Sequence, residues 1–353
     1  MQDYRLSYKD KRILVTGGAG AIGSRLVRNL CESGAELVMV LDNLSSSYRW
    51  NLPAHPKMMF VQGDVLDEVK LKRVFFEEPQ IIFHLAAFFA NQNSIDHPEH
   101  DLMTNGMGTL RLLEYSQLTK VKRFVFASSG CSIYGSSAPL PLREEFMSMH
   151  LSTPYQITKM LGELYCNFFH HHYDVPVVKT RFFNSYGPGE VPGQYRNVIP
   201  NFIYWALQGK PLPITGTGEE TRDFTYVEDI CDGLLRAGYF EKAVGQEMNL
   251  ASARETRIID LATMINQIVG NSSGIVLSQR RKWDTKSRLL ASVDRAKELL
   301  GYEPSTDFKK GLTNTIEWFK ENWENIRASS SFEPGMSSAN RIAQAATTEK
   351  QGM

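Results

Sequence analysis

Cysteine is scarce in this 353-residue chain: Cys31, Cys131, Cys166 and Cys231 are the four, and none forms a C-x-x-C pair. So sparse a set excludes a disulfide framework and fits free thiols in a reducing cytoplasm. Net charge is absent, because 39 Lys and Arg balance 39 Asp and Glu. That excludes the broadly basic surface of a non-specific nucleic-acid binder, and no nucleic-acid partner is expected. Long apolar runs are missing too. The most apolar, residues 81–90, is interrupted by His84 and falls far short of the ~18 residues of a membrane span. The opening MQDYRLSYKDK has no apolar signal core, so neither export nor a membrane partner is expected. Three adjacent histidines, His170 to His172, cannot share one helix face and have no evident acidic or Cys partner, so they read as solvated helix surface and no metal site is expected.

What is present is an ordinary globular composition, 42% hydrophobic and 22% charged, long enough for about two domains. Continuous apolar runs at 12–16 (RILVT), 37–41, 58–61, 81–85, 123–127 and 175–181 predict strands buried on both faces. Helical spacing at 22–31, 99–117 and 154–172 falls between them. The alternation predicts an α/β fold with a doubly wound parallel sheet. Beyond residue 185 the pattern loosens. A Gly/Pro loop (185–197) leads to a helix (198–208), a turn-rich connector (214–222), and strand, helix and strand at 223–226, 227–239 and 246–250; helices follow at 256–269, 293–300 and 308–325. The expected division is a sheet domain of residues 10–185 with about 223–250, a smaller α/β lobe of 186–222 with 251–327, and a loose, Ser- and Ala-rich tail at 328–353.

Gly17, Gly18, Gly20 and Gly23 lie between the first strand and first helix. A glycine-rich turn there lets main chain approach a pyrophosphate, and the helix start offers unpaired N–H groups. Ala21, Ile22, Leu85, Ala86 and Ala87 are the expected neighbours. Asp42 ends the second strand about 20 residues on, placed for both hydroxyls of a ribose. A carboxylate repels a 2′-phosphate and no Arg follows it directly, so NAD rather than NADP is the expected cofactor. Asn43 and Val65 flank the same site; Asp64 reads either as an adenine contact or as the N-cap of the next helix.

Thr153-Pro154-Tyr155-Gln156 has the form of a helix start with a Thr-x-x-Gln capping box. Tyr155 and Lys159 then share one helix face. A nearby ammonium favours the phenolate and turns Tyr into a usable base near neutral pH. The motifs TGGAGAIG (16–23), LDN (41–43), GDV (63–65), HLAA (84–87), SSGCSIYG (128–135), PYQITK (154–159), RFFNSYGPG (181–189), TRDFTYVEDI (221–230) and LLGYEP (299–304) follow in this order. In them the chain resembles the extended short-chain dehydrogenase/reductase superfamily, in its NAD-dependent nucleotide-sugar epimerase/dehydratase branch, over roughly residues 11–325.

That resemblance implies a Rossmann-type NAD domain, a small C-terminal lobe holding a nucleoside-diphosphate sugar (UDP being the expected nucleotide), and a homodimer through helices 99–117 and 154–172. It makes Tyr155 the base and Lys159 its partner. Many relatives carry the active Ser/Thr where this chain has Gly130, so Ser129 is the expected hydroxyl, with Ser128 structural and Ser132 an outside candidate. It also implies Asn184, Arg222 and Arg281 at the diphosphate and Asp284 at the nucleoside ribose, with Asn105 a structural residue beneath the site. Cys131 reads as a small core thiol. Dehydratases carry an acidic pair, and UDP-glucuronate decarboxylases a Glu, where this chain has Cys131 and Ser132. The expected reaction is therefore 4-epimerisation of a UDP-hexose or derivative. A 4,6-dehydratase or uronate decarboxylase is the alternative, and a non-catalytic NAD sensor is a further one.

Overall fold

The computed structural model describes residues 4–280, 284 and 286–330. Twelve strands are defined among them: β1 (Arg12–Thr16), β2 (Leu37–Asp42), β3 (Met58–Gln62), β4 (Ile81–His84), β5 (Arg123–Ser129), β6 (Val177–Phe182), β7 (Asn184–Tyr186), β8 (Leu212–Thr215), β9 (Thr221–Tyr226), β10 (Glu247–Leu250), β11 (Glu255–Arg257) and β12 (Ile275–Ser278). Seven form one sheet in the order β10-β6-β5-β4-β1-β2-β3, with every neighbouring pair parallel. Successive side chains of β1 and β2 explain the continuous apolar runs. Ile13, Val15, Val38 and Val40 enter one core, while Leu14, Met39 and Leu41 enter the core on the opposite face. A strand covered on both sides has no polar face to show.

From β1 the chain winds one way to β2 and β3; from β4 it winds the other way to β5 and β6. The loops after β1 and β4 therefore part at a topological switch point, where open α/β sheets hold their ligands. Two small sheets complete the fold, β11-β9-β7 and β12-β8.

The differences from expectation are local. The strand expected at 223–226 joins the three-stranded sheet, not the large one, while the following helix Val227–Tyr239 packs beneath β5 and β6. The helix expected at 99–117 runs 98–119 and is interrupted by a π-turn, Leu102–Met107. The helix expected at 308–325 divides at Asn322 into Phe308–Glu321 and Trp323–Ser329, so residues 328 and 329 finish a helix instead of opening a tail. Helix Asn91–Asp96 and strands β7, β8, β11 and β12 were not expected, and the helix expected after Asp64 is Glu68–Phe75. Helix Glu68–Phe75 buries only Leu71, Val74 and Phe75, too short a stripe to stand out, and β12 is largely exposed. No helix among the described residues is long and apolar enough to cross a membrane.

Candidate active site

The carboxyl ends of the large sheet open onto a cavity of about 1020 Å³, at the top of the usual range for small-molecule sites. Apart from Gly18 and Asn105, every expected site residue that is described, from Gly17 and Asp42 to Asn184, Arg222 and Asp284, borders it. Arg281 lies outside the described residues.

At one end, helix Ala21–Glu32 starts directly from the glycine turn. Gly17 has φ +70°, and a Cβ on it would stand 2.6 Å from Ala86 N. A Cβ on Gly23 would stand 2.2 Å from Gly17 O, so neither position admits a side chain. Gly20 differs: its Cβ would meet only Gly17 O, at 3.3 Å, and its bare face borders the cavity. The start of helix Ala21–Glu32, with its main-chain N–H groups and dipole, thus borders the open cavity where an anion could approach. Asp42 is buried. Its Oδ2 accepts from Ala19 N (2.9 Å), and its Oδ1 from Leu44 N (2.9 Å) and Ser47 Oγ (2.7 Å). A carboxylate has about four acceptor sites, so Asp42, which borders the cavity, keeps acceptor capacity for a ribose. Asn43 Nδ2 donates to Asp64 Oδ2 at 2.7 Å, and Asp64 Oδ1 accepts from Leu66 N. The cap of the next helix is Asp67, not Asp64. The cradle and the Asp42 carboxylate fit NAD.

At the middle of the cavity, Thr153 caps helix Pro154–Tyr173 as its sequence predicts. Gln156 closes the motif on Ser152 N (2.8 Å), one residue earlier than a standard capping box. Tyr155 is buried with the Ser129 hydroxyl acting on its phenol, and Ser132 Oγ donates to Ser129 Oγ at 2.9 Å. Burial, then Asp101 and Cys131, push the Tyr155 phenol up; the Ser129 hydroxyl opposes them. Lys159 Nζ lies 5.6 Å from the Tyr155 ring centre and donates to Ala127 O at 2.9 Å. Burial lowers its pKa to about 8 against the pull of Asp101, so it is mostly charged at neutral pH. Ser128 turns away to Glu163 Oε1 (2.5 Å) and is structural. Asn105 sits in the π-turn and clamps Phe88: its Oδ1 accepts from Phe88 N, and its Nδ2 donates to Phe88 O and Asp101.

Gly130 stands where a hydroxyl side chain is common among relatives, and a Cβ there would lie 2.1 Å from the Phe183 ring. Cys131 Sγ lies 3.5 Å from Asn184 Oδ1, and burial raises the thiol's pKa to about 11. Beside this group, Arg222 Nη2 reaches both oxygens of Asp284, at 3.0 and 3.3 Å, and its Nη1 donates to Lys286 O at 3.3 Å. Asp284 is therefore held by an arginine before any ribose reaches it.

Among the lining residues that were missed are Phe183, Glu190, Asn197 and Lys286. Asn197 immediately precedes helix Val198–Leu207, a spacing that sequence alone offers. Glu190 accepts from Asn197 Nδ2 at 2.9 Å, and burial raises its pKa to about 7. Glu190 and Lys286 carry no local signal, because the fold brings them in from loops.

Comparison with known proteins follows the same lines. The model of the NAD dependent epimerase/dehydratase family matches residues 13–251. UDP-glucose 4-epimerase from Mycolicibacterium smegmatis is 35% identical over 312 residues, 88% of this chain and 98% of that protein. UDP-glucuronic acid decarboxylase 1 from Xenopus tropicalis is 33% identical over 328 residues, 90% of this chain and 75% of that protein. Among solved structures, epimerase Mth375 from Methanothermobacter thermautotrophicus is 55% identical with a TM-score of 0.92, covering 94% of this chain and 98% of that one. The Bordetella bronchiseptica enzyme WbmF, solved with NAD+ and UDP, is 36% identical with a TM-score of 0.81, covering 92% and 96%.

Proposed function

The chain belongs to the NAD-dependent epimerase/dehydratase family, and from that premise we propose that it is a nucleoside-diphosphate-sugar 4-epimerase acting on a UDP-hexose or a derivative of one. One observation carries this reading. Among the described residues, the Tyr155–Ser129–Ser132 group contains no carboxylate. Asp101, the acid whose charge acts on Tyr155, is fully buried and bound to Asn105 and Thr158. Loss of the C6 hydroxyl from a 4-keto sugar calls for an added acid and base. Reversal at C4 needs only the residues that take and return the 4-hydroxyl proton.

Tyr155 is the group that moves that proton, and Ser129 holds the same sugar hydroxyl from its other side. The Lys159 ammonium stabilises the phenolate as it forms. When bound, NAD supplies a reversible hydride acceptor and a positive ring charge. The bare face of Gly20 and Asp42 hold the cofactor's pyrophosphate and ribose. Arg222 and the N–H groups behind Asn197 hold the substrate diphosphate, which anchors the nucleotide and leaves the hexose free to turn over. The enzyme works as a homodimer joined by helices 98–119 and 154–173. Leu102, Met103, Ile157, Leu164 and Phe168 are exposed on them, each 42% or more.

The test is incubation of the purified protein with UDP-glucose, UDP-N-acetylglucosamine and UDP-glucuronate, with products separated by chromatography. The C4 epimer is expected. A 4-keto-6-deoxy sugar or a pentose in its place refutes the reading. Tyr155→Phe should cut turnover by about 10²- to 10⁴-fold while NAD binding stays nearly unchanged; turnover equal to wild type would remove the mechanism.

A further inference from the structure

Lys286 has no role in the chemistry above, yet it borders the cavity. Its Nζ donates to the carbonyl of Cys131 at 2.7 Å. An ammonium has three donors, so two remain for something else. Among the described residues no carboxylate lies within ion-pair distance of it: the neighbouring Asp284 is turned to Arg222. Burial lowers the pKa of Lys286; Arg222 adds to that, while Cys131 and the Arg222-bound Asp284 oppose it without cancelling it, as expected of a cation drawn out of water with no anion paired to it. Such a group is costly to keep unless a ligand supplies the missing charge.

The position of this ammonium narrows the ligand. Cys131 belongs to the short helix Gly130–Ile133, which Ser129 begins, and it lies within electrostatic reach of the Tyr155 phenol. Lys286 therefore stands over the reacting end of the cavity. A hexose with its 4-hydroxyl at Tyr155 presents two neighbouring carbons. C3 carries a hydroxyl or an amide, and C5 carries C6, the carbon that becomes a carboxylate in a uronic acid.

Resting on the 4-epimerase reading, we infer that Lys286 selects a nucleotide sugar with an anionic hexose, a UDP-hexuronate, through an ion pair to its C6 carboxylate. The other anion a UDP-sugar offers is the diphosphate, and the test separates the two.

The full-length protein loaded with NAD is titrated calorimetrically with UDP, UDP-glucose and UDP-glucuronate, as wild type, Lys286→Met and Lys286→Arg. Wild type should bind UDP-glucuronate about tenfold or more tighter than UDP-glucose. Lys286→Met should bring that ratio near one and leave UDP affinity within about twofold, while Lys286→Arg keeps the preference. A wild-type ratio near one overturns the inference by itself, whether or not the variants fold. So does a ratio that survives in Lys286→Met, or a loss of UDP affinity as large as the loss for UDP-glucuronate, which would make the lysine a diphosphate ligand. Binding is read without turnover. A protein that prefers UDP-glucuronate but converts it to a pentose would sink the 4-epimerase reading and leave this inference standing.

Discussion

Gly130 and Phe183 share one space, and neither can be understood alone. The Phe183 ring lies where a side chain at 130 would go, and under the proposed mechanism the sugar-facing hydroxyl is that of Ser129, one residue earlier. Gly130→Ala should cost about 1–3 kcal/mol through overpacking. In a urea-denaturation double-mutant cycle with Phe183→Ala, the two changes should fall short of additivity by about 1 kcal/mol. Strict additivity would mean the contact does not limit position 130. Glu190 offers a second test, read as a pH dependence. Its carboxyl has a pKa of about 7 in the folded chain against an ordinary 4.5. Between those values the native state binds more protons than the unfolded chain, so stability falls as pH rises through that window. Glu190→Gln removes the ionisable group. It should raise the ligand-free protein's stability at pH 8 by on the order of 1–3 kcal/mol and leave it nearly unchanged at pH 4.5. An equal shift at both pH values would show that ionisation is not the cause.

At the scale of elements, helix Pro154–Tyr173 faces two ways. It buries Tyr155, Lys159, Cys166 and Phe169 against the sheet and exposes Ile157, Leu164 and Phe168 along another stripe. If that stripe is the dimer interface, Leu164→Glu together with Phe168→Glu should shift the mass measured by light scattering from dimer to monomer without unfolding the chain. A wild-type monomer would dispose of the proposal. The same elements show which structure is legible in a sequence. Strands β1, β2 and β4 stand out because the sheet is covered on both faces, and Thr153, Tyr155 and Lys159 because their spacing acts within one helix. Strands β7, β8, β11 and β12 are short, and their partners are distant, so pairing rather than local pattern makes them. Lys286 is brought to Cys131 by the fold from 155 positions away, and no spacing rule could have placed it at the site.

At the scale of the whole molecule, one apolar core contains Ile13 and Val38 of the large sheet together with Ile265, Leu312, Ile316 and Phe319 from the last helices. Among the described residues, the last helices thus share their core with the large sheet. Calorimetry should show a single transition with a van't Hoff to calorimetric enthalpy ratio of about one, and Ile316→Ala should lower it as a unit by about 2–5 kcal/mol. Two resolved transitions would contradict the shared core. A buried polar row completes the sheet. Ser128, Arg181 and Asn249 are register partners across β5, β6 and β10. Glu163 bonds both Ser128 and Arg181, and Tyr134 joins Arg181 to Asn249. Apolar strands in a parallel sheet have a weakness that hydrophobicity cannot cure: sliding one by two residues returns every side chain to its proper face. Such a slip here would part Ser128 from Arg181 and leave the Glu163 charge buried without its guanidinium. The row is thus a ruler laid across three strands, and it makes one alignment of the sheet the only one the chain can tolerate.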